Sequence, residues 1–360
     1  MEGKKLSSVS PKQFLIKLLI SEYFILMMSV VFFLVVGIFR PKIFNGATIY
    51  NIFYNMCPLL CVSLGQTFVL LLGGIDLSQT AVISFTSTVA GILIGNKFPE
   101  IKFKNTPIWG TFVSEKGGFF SGMPEIAGTV CAIIVIILIG ALIGYINGLF
   151  IAKLNMPPFM MTLVSQMLWS ALSLWIVASS NCMNINPSFC YLGKGKIAGF
   201  FPMSAVVAIL VLILCELLLS RTIWGKWIYS VGANPRAAVV SGIPKDRIIL
   251  LCYSLSSVCA TVGAIIYSGR LEMGRPTLGD GVLNDVLGAA VIGGVSMYGG
   301  KGKALWALYG TFFYCIMVSA LNLFHLNSFL IQVIKGCVIL AAVSLDIVRT
   351  NLQHKITTTK

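Results

Sequence analysis

Long apolar runs separated by short polar breaks dominate the chain. They lie at about 14–39, 49–72, 78–95, 125–150, 160–180, 202–219, 248–269, 284–298, 304–324 and 328–348, each bounded by Gly, Pro, Asn or charge. A helix needs about 20 mostly apolar residues to cross some 30 Å of hydrocarbon. Backbone groups in that medium must be satisfied within the segment, which favours helices over open strands. The pattern predicts an all-α polytopic membrane protein with about ten transmembrane helices, both termini cytoplasmic and some helices short or broken. One membrane domain, 14–348, then lies between a cytoplasmic segment 1–13 and a cytoplasmic tail 349–360. The first run follows Lys4, Lys5, Lys12 and Lys17 and is too long for a signal-peptide core, so it reads as a retained span.

Composition agrees. Apolar side chains make up 57% and charged ones 11% of 360 residues, and the mean hydropathy is +0.91, too apolar for a soluble domain. The net charge of +14 would suit nucleic acid, but the basic residues sit between apolar runs, so the lipid bilayer is the expected partner and nucleic acid is not. The larger share of Lys and Arg falls on the segments read as inner, which modestly supports the orientation. Two polar stretches, about 96–124 and 181–201, are the longest irregular segments, and neither resembles a separate domain. Ten cysteines without a C-x-x-C pair, and only two histidines, predict no metal site. Most of the cysteines read as packing residues, with a Cys182–Cys190 disulfide left open.

Four stretches carry candidate chemistry. Gln66, Gly73, Gly74 and Asp76 lie where two apolar runs meet; a glycine pair there can break a helix where backbone must face protein or water. Asp76 reads either as a cap for the helix beginning near Ser78 or as a group touching substrate. Asn155-Met156-Pro157-Pro158 predicts a rigid elbow before Phe159 and Thr162. In the stretch 225–244, Asn234 followed by Pro235 reads as N-cap and first helical position, predicting a short helix to Ser241, ended by Gly242. Such a helix would present Ala237 and Ala238 beside Arg236, either as a surface connector or as a docking element. The block 285–302, with Asp285, Gly293 and Gly294, predicts a packed, partly unwound span. Its glycine pair weakly echoes Gly73-Gly74. No Gly-Lys pair is followed by Ser or Thr, so the chain carries no Walker A site. Lys335 is the one basic residue deep in a run and needs a partner or a path to the interface.

At these residues the chain resembles the permease family of ABC importers for ribose, xylose, galactose and related simple sugars. The resemblance spans about 48–349. It rests on Gly-Gln-Thr-Phe-Val with Gly-Gly-Ile-Asp-Leu-Ser at 65–78, Pro-Pro-Phe-Met-Met-Thr-Leu at 157–163, Val-Gly-Ala-Asn-Pro-Arg-Ala-Ala with Ser-Gly-Ile at 231–243, and Ala-Ala-Val-Ile-Gly-Gly at 289–294. It implies a transport subunit in the bacterial cytoplasmic membrane, not an enzyme in itself, that moves a monosaccharide. The implied partners are a second permease copy, an ABC ATPase and an external sugar-binding protein. ATP and Mg would sit on the ATPase, with no cofactor on this chain. Gly232, Ala233, Asn234, Pro235, Arg236, Ala237, Ala238, Ser241 and Gly242 would form the loop that couples to the ATPase. Gln66, Gly73, Gly74, Asp76, Phe159, Thr162, Asp285, Gly293 and Gly294 would line or gate the path. Gln79-Thr80 and the long stretch 96–124 depart from the family pattern. The competing reading is an ion-coupled secondary transporter of a small polar solute using Asp76 and Asp285. A membrane enzyme is disfavoured because His325 and His354 stand apart with no catalytic cluster.

Overall fold

A computed structural model describes residues 23–358. Each of the ten apolar runs contains a helix in its described part. The numbered helices are α1 (Phe24–Phe39), α2 (Gly46–Leu71), α3 (Gln79–Ile94), α4 (Glu125–Lys153), α5 (Pro158–Ile176), α6 (Pro187–Lys194), α7 (Met203–Arg221), α8 (Ile223–Ala233), α9 (Pro235–Val240), α10 (Lys245–Leu271), α11 (Val282–Ile292), α12 (Ala304–Leu323) and α13 (Ser328–Thr358). Among the described residues, six of them (α2, α4, α5, α7, α10 and α12) are long and apolar enough to cross a membrane, while α1, α3, α11 and the first part of α13 are shorter apolar helices.

The run expected at 284–298 is helical only to Ile292, because Gly293 and Gly294 end it and Gly294 takes φ +99°. The helix after 328 continues to Thr358, into the stretch read from sequence as a tail. The segment 1–13 lies outside the described residues.

Helices α2 and α10 form the centre of the bundle, and they are the most buried of the span-length helices. Helix α4 packs along α10 through Gly140, Gly144 and Gly148, spaced four apart on one face. A methyl group at Gly144 would stand 2.3 Å from the Tyr253 carbonyl oxygen, and one at Gly148 would stand 2.9 Å from the Leu250 Cα. Backbones that close cannot admit a larger residue without separating the helices.

The two ends of the bundle differ. One end carries the irregular stretches, held together by the antiparallel pair Cys182–Met183 with Met273–Gly274 and by a bridge from Gly95 to Ile185. The stretch 96–124 packs there, its Phe98, Phe103, Ile108 and Val113 buried with Val177 and Cys182. Glu125, in the first turn of α4, accepts hydrogen bonds from the Ser188 N–H at 2.7 Å and its hydroxyl at 2.8 Å, which ties α4 to α6. The opposite end gathers the glycine-rich turns and α9.

All ten cysteines are free thiols, so Cys182 and Cys190 are unbridged. Both are buried. Burial pushes the Cys182 thiol up to about 12, and burial, reinforced by Glu272, pushes that of Cys190 up to about 11. Thiolate is the reactive form, so both should resist a maleimide at pH 7 in the folded protein and react after denaturation. Labelling of either at the rate of a free thiol would contradict this packing. Gly144→Leu should lower the thermal unfolding midpoint in detergent by an amount equivalent to roughly 1–3 kcal/mol; an unchanged midpoint would show that α4 and α10 are not in this contact.

Candidate functional site

Gly73, at φ +76°, turns the chain away from α2. In the loop that follows, Asp76 is wholly buried. A turn in such a place forfeits helical hydrogen bonds, and Gln66, one and a half turns back from the end of α2, replaces two of them. In the amide orientation that satisfies its neighbours, its nitrogen donates to the Asp76 carbonyl oxygen at 3.2 Å and to Gln79 Oε1 at 3.0 Å. Its oxygen accepts from the Asp76 N–H at 3.2 Å.

The Asp76 carboxylate is held as firmly as its backbone. Its Oδ1 accepts from the Ser78 N–H at 3.0 Å and the Ser78 hydroxyl at 2.5 Å, and its Oδ2 accepts from the Ser256 hydroxyl of α10 at 2.6 Å. The Ser78 oxygen in turn accepts from Asn147 Nδ2 at 2.9 Å, and the Ser256 oxygen from Gln79 Nε2 at 2.9 Å. The donors run one way, from the two amides through the two hydroxyls to the carboxylate. A chain of buried hydrogen bonds that converges on one carboxylate favours one arrangement of the elements it joins. Asp76 thus caps the turn leading into α3 and also pins it to α4 and α10.

The elbow at Pro157 and Pro158 delivers Thr162 of α5 to the same turn, where its hydroxyl, 2.9 Å from the Pro158 carbonyl of its own helix, also lies within hydrogen-bond distance of the Ile75 carbonyl at 3.2 Å. Phe159 is exposed, one turn away. Gln66, Asp76 and Thr162 therefore come together around Gly73 and Gly74, whereas Asp285 lies apart. It sits in the first turn of α11, takes a hydrogen bond from the Tyr314 hydroxyl, and is paired with Lys335 of α13, whose Nζ stands 3.0 and 3.1 Å from its two oxygens. Of the two ways to accommodate Lys335, the structure shows a partner. The second glycine break packs on α12, for a methyl at Gly293 would meet the Trp306 carbonyl at 2.1 Å.

At the same end of the bundle, Asn234 caps α9 as expected. Its Oδ1 accepts from the Arg236 and Ala237 N–H groups at 3.1 and 3.0 Å, with Pro235 opening the helix and Gly242 at φ +80° following it. Ser241 is the C-cap. One expectation needs correction. Ala237 is exposed beside Arg236, but Ala238 is buried in a cluster with Val231 and Ile248, so it is not presented to a partner. Val239 and Val240 are presented instead, the latter 89% exposed. The helix is short, and its one inward turn position falls on 238 rather than on a valine; the sequence alone does not decide that rotation.

Gly232 and Ala233, at the end of α8, connect this helix to the glycine turns. The Gly300 N–H donates to the Leu71 carbonyl at 2.8 Å, and a methyl at Gly232 would lie 1.8 Å from that carbonyl oxygen. The two glycine breaks and the α8–α9 segment meet at this point. Sequence reading missed Ser256, Asn147 and Tyr314 as partners in these sites. The four-residue glycine spacing that sets Asn147 against α10 was visible in the sequence; Ser256 and Tyr314 left no signal, being ordinary residues of apolar spans.

Exchanging the charges tests the Asp285–Lys335 pair. Lys335→Met should destabilise the protein by roughly 1–3 kcal/mol, because Asp285 then stays half-buried without its countercharge. The double variant Asp285→Lys with Lys335→Asp should recover part of the loss in a thermal unfolding assay. Equal stability of Lys335→Met and wild type would show the pair to be idle.

Comparison with known proteins adds a family to this geometry. The family described as "Branched-chain amino acid transport system / permease component" matches residues 48–343. The ribose import permease protein RbsC of Bacillus subtilis is 31% identical over 316 residues, covering 87% of this chain and 88% of that protein. The RbsC of Escherichia coli K12 is 27% identical, covering 94% of this chain and 98% of that one. A probable ABC transporter permease protein, y4mJ of Sinorhizobium fredii, is 28% identical over 87% and 85% of the two chains. No solved structure matches. With the match running from α2 into α13 and taking in both glycine breaks and the α8–α9 segment, the chain belongs to the family of ABC transporter permeases.

Proposed function

We propose that the protein is the membrane-spanning subunit of an ATP-driven importer for a monosaccharide. It is an integral protein of the bacterial cytoplasmic membrane, and the reading adds ten spans with both termini inside and a homodimer around the path. Energy comes from a separate ABC ATPase that binds ATP and Mg at the α9 end, and substrate arrives from an external binding protein at the end that carries 96–124. This chain itself holds no cofactor. The observation that carries the reading is α9: a capped helix that exposes Arg236, Ala237, Val239 and Val240 while its root is packed backbone to backbone on both glycine breaks. Exposed apolar side chains with a cation alongside suit a groove on a soluble partner.

The substrate class draws on the relatives. Besides the ribose permeases, a fructose import permease of Rhizobium meliloti is 29% identical over 85% of this chain, and a galactose/methyl galactoside import permease of Escherichia coli K12 is 29% identical over 85%. The family description names branched-chain amino acids, yet the ribose, fructose and galactose permeases among the individual relatives are named for sugars, and a monosaccharide is therefore the first substrate to test.

An ion-coupled carrier would need carboxylates free to take up and release an ion. The Asp76 carboxylate already accepts three hydrogen bonds, and Asp285 is held by Lys335 and Tyr314. Neither is poised for that exchange, which favours the ATP-driven reading.

Co-purification in mild detergent, with uptake in vesicles, tests both parts. Wild type should bring down an ABC ATPase, and ATP-dependent uptake of ribose, fructose or galactose should exceed that of leucine. Ala237→Glu and Val240→Glu each place a charge on the exposed α9 face and should lower ATPase recovery by roughly tenfold or more while leaving the fold intact. A well-folded wild type that travels with no ATPase overturns the importer reading; uptake confined to leucine overturns the sugar.

A further inference from the structure

The contact between the α8–α9 segment and the helix breaks is made by backbone. Leu71 ends α2, where the last carbonyls of a helix lack intrahelical donors. Its carbonyl is buried and receives the N–H of Gly300, from the far side of the second glycine break. Gly232 lies against that bond, since a methyl there would be 1.8 Å from the Leu71 oxygen and 2.7 Å from the Gly300 nitrogen. Gly299 lies equally close to the other two segments: a methyl there would stand 2.8 Å from the Gly232 oxygen and 3.0 Å from the Gly73 nitrogen. The Tyr229 hydroxyl of α8 adds a hydrogen bond to the Gly302 carbonyl at 2.7 Å.

We infer that this three-way backbone junction of Leu71, Gly232 and Gly299–Gly300 is the element that passes movement of α9 to both helix breaks, and that Gly232 is its positioning residue. Side chains that slide past one another can absorb a displacement. Three backbones in contact, with a buried hydrogen bond between two of them, cannot. A shift of α8 draws on the 299–302 segment through the Tyr229–Gly302 bond, and that segment, bonded through Gly300 to Leu71, must carry α2 with it or strand the Leu71 carbonyl. Through α2 the shift reaches Gly73 and the Asp76 turn, and through 299–302 it reaches Gly293 and α11. A methyl at Gly232 pushes the three segments apart without touching the exposed face of α9, so it breaks transmission and leaves docking alone.

The inference rests on the proposed ATPase partnership, and the experiment separates the two. The permease is reconstituted in lipid vesicles with its co-purified ATPase and its external binding protein, as wild type, Gly232→Ala, Tyr229→Phe and Val240→Glu. ATPase recovery, ATP hydrolysis with and without loaded binding protein, uptake and thermal unfolding are measured for each. Gly232→Ala should recover ATPase like wild type and hydrolyse ATP, yet lose stimulation by loaded binding protein and lose uptake by about tenfold or more, within the range of ordinary coupling between sites. Tyr229→Phe removes one hydrogen bond without adding bulk and should lower uptake about two- to fivefold at unchanged ATPase recovery. If Gly232→Ala keeps stimulated hydrolysis and uptake within twofold of wild type, the junction does not transmit. If Gly232→Ala fails to fold, Tyr229→Phe decides: normal unfolding and recovery with lower uptake support the inference, and wild-type uptake overturns it. Loss of ATPase recovery in Gly232→Ala to the level of Val240→Glu also overturns it, since the segment would then act in docking. Absence of any ATPase from wild type is a failure of the partnership itself and is read there.

Discussion

The structure depends on how the Gln66 carboxamide replaces backbone hydrogen bonds that the break at Gly73 and Gly74 gives up. A chain that leaves a helix where it is buried in protein has no water to complete its N–H and C=O groups. Gln66 meets both groups of Asp76 and also reaches Gln79. With the backbone held, the Asp76 carboxylate is free to gather Ser78 and Ser256, and through them Asn147 and Gln79. Helices α2, α3, α4 and α10 are thereby fixed around one turn, and Thr162 brings α5 to it. The carboxylate acts as a structural acceptor at the meeting of five helices.

The breaks would be of little use to a transporter if they stood alone. They share a backbone contact with the segment that leads to α9, so the deeply buried turn and the exposed helix are parts of one mechanical unit. The exposed part is apolar and small, suited to a partner; the contacting part is glycine, where any side chain would hold the segments apart. The pair of Asp285 and Lys335 sits elsewhere and joins α11 to α13. The molecule thus separates a buried polar centre, a backbone contact beneath α9 and an ion pair that ties α11 to α13.

Much of this was legible in the sequence because it follows from local chemistry. The described parts of the apolar runs contain helices because a helix satisfies its backbone groups within the segment in hydrocarbon, and the Asn234-Pro235 cap formed where its two residues demanded it. The glycine pairs were recognisable as breaks because few other residues turn a helix so sharply. The run 284–298, read as partly unwound, leaves the helix at Ile292 for the same local reason.

What the sequence by itself determined is therefore the membrane class, the helical elements, the positions of the breaks and the residues of the α9 cap, all set by hydropathy period and backbone preference within a few residues. Only the tertiary structure decided that Gln66 and Ser256 serve Asp76, that Lys335 finds Asp285, that Ala238 faces inward while Val240 faces out, and that Leu71, Gly232 and Gly300 touch. Those are contacts between residues from 10 to 229 positions apart, and hydropathy records only that each lies on a buried or an exposed stretch. Which pairs meet depends on helix rotation and close approach, and these emerge only when all the helices pack together.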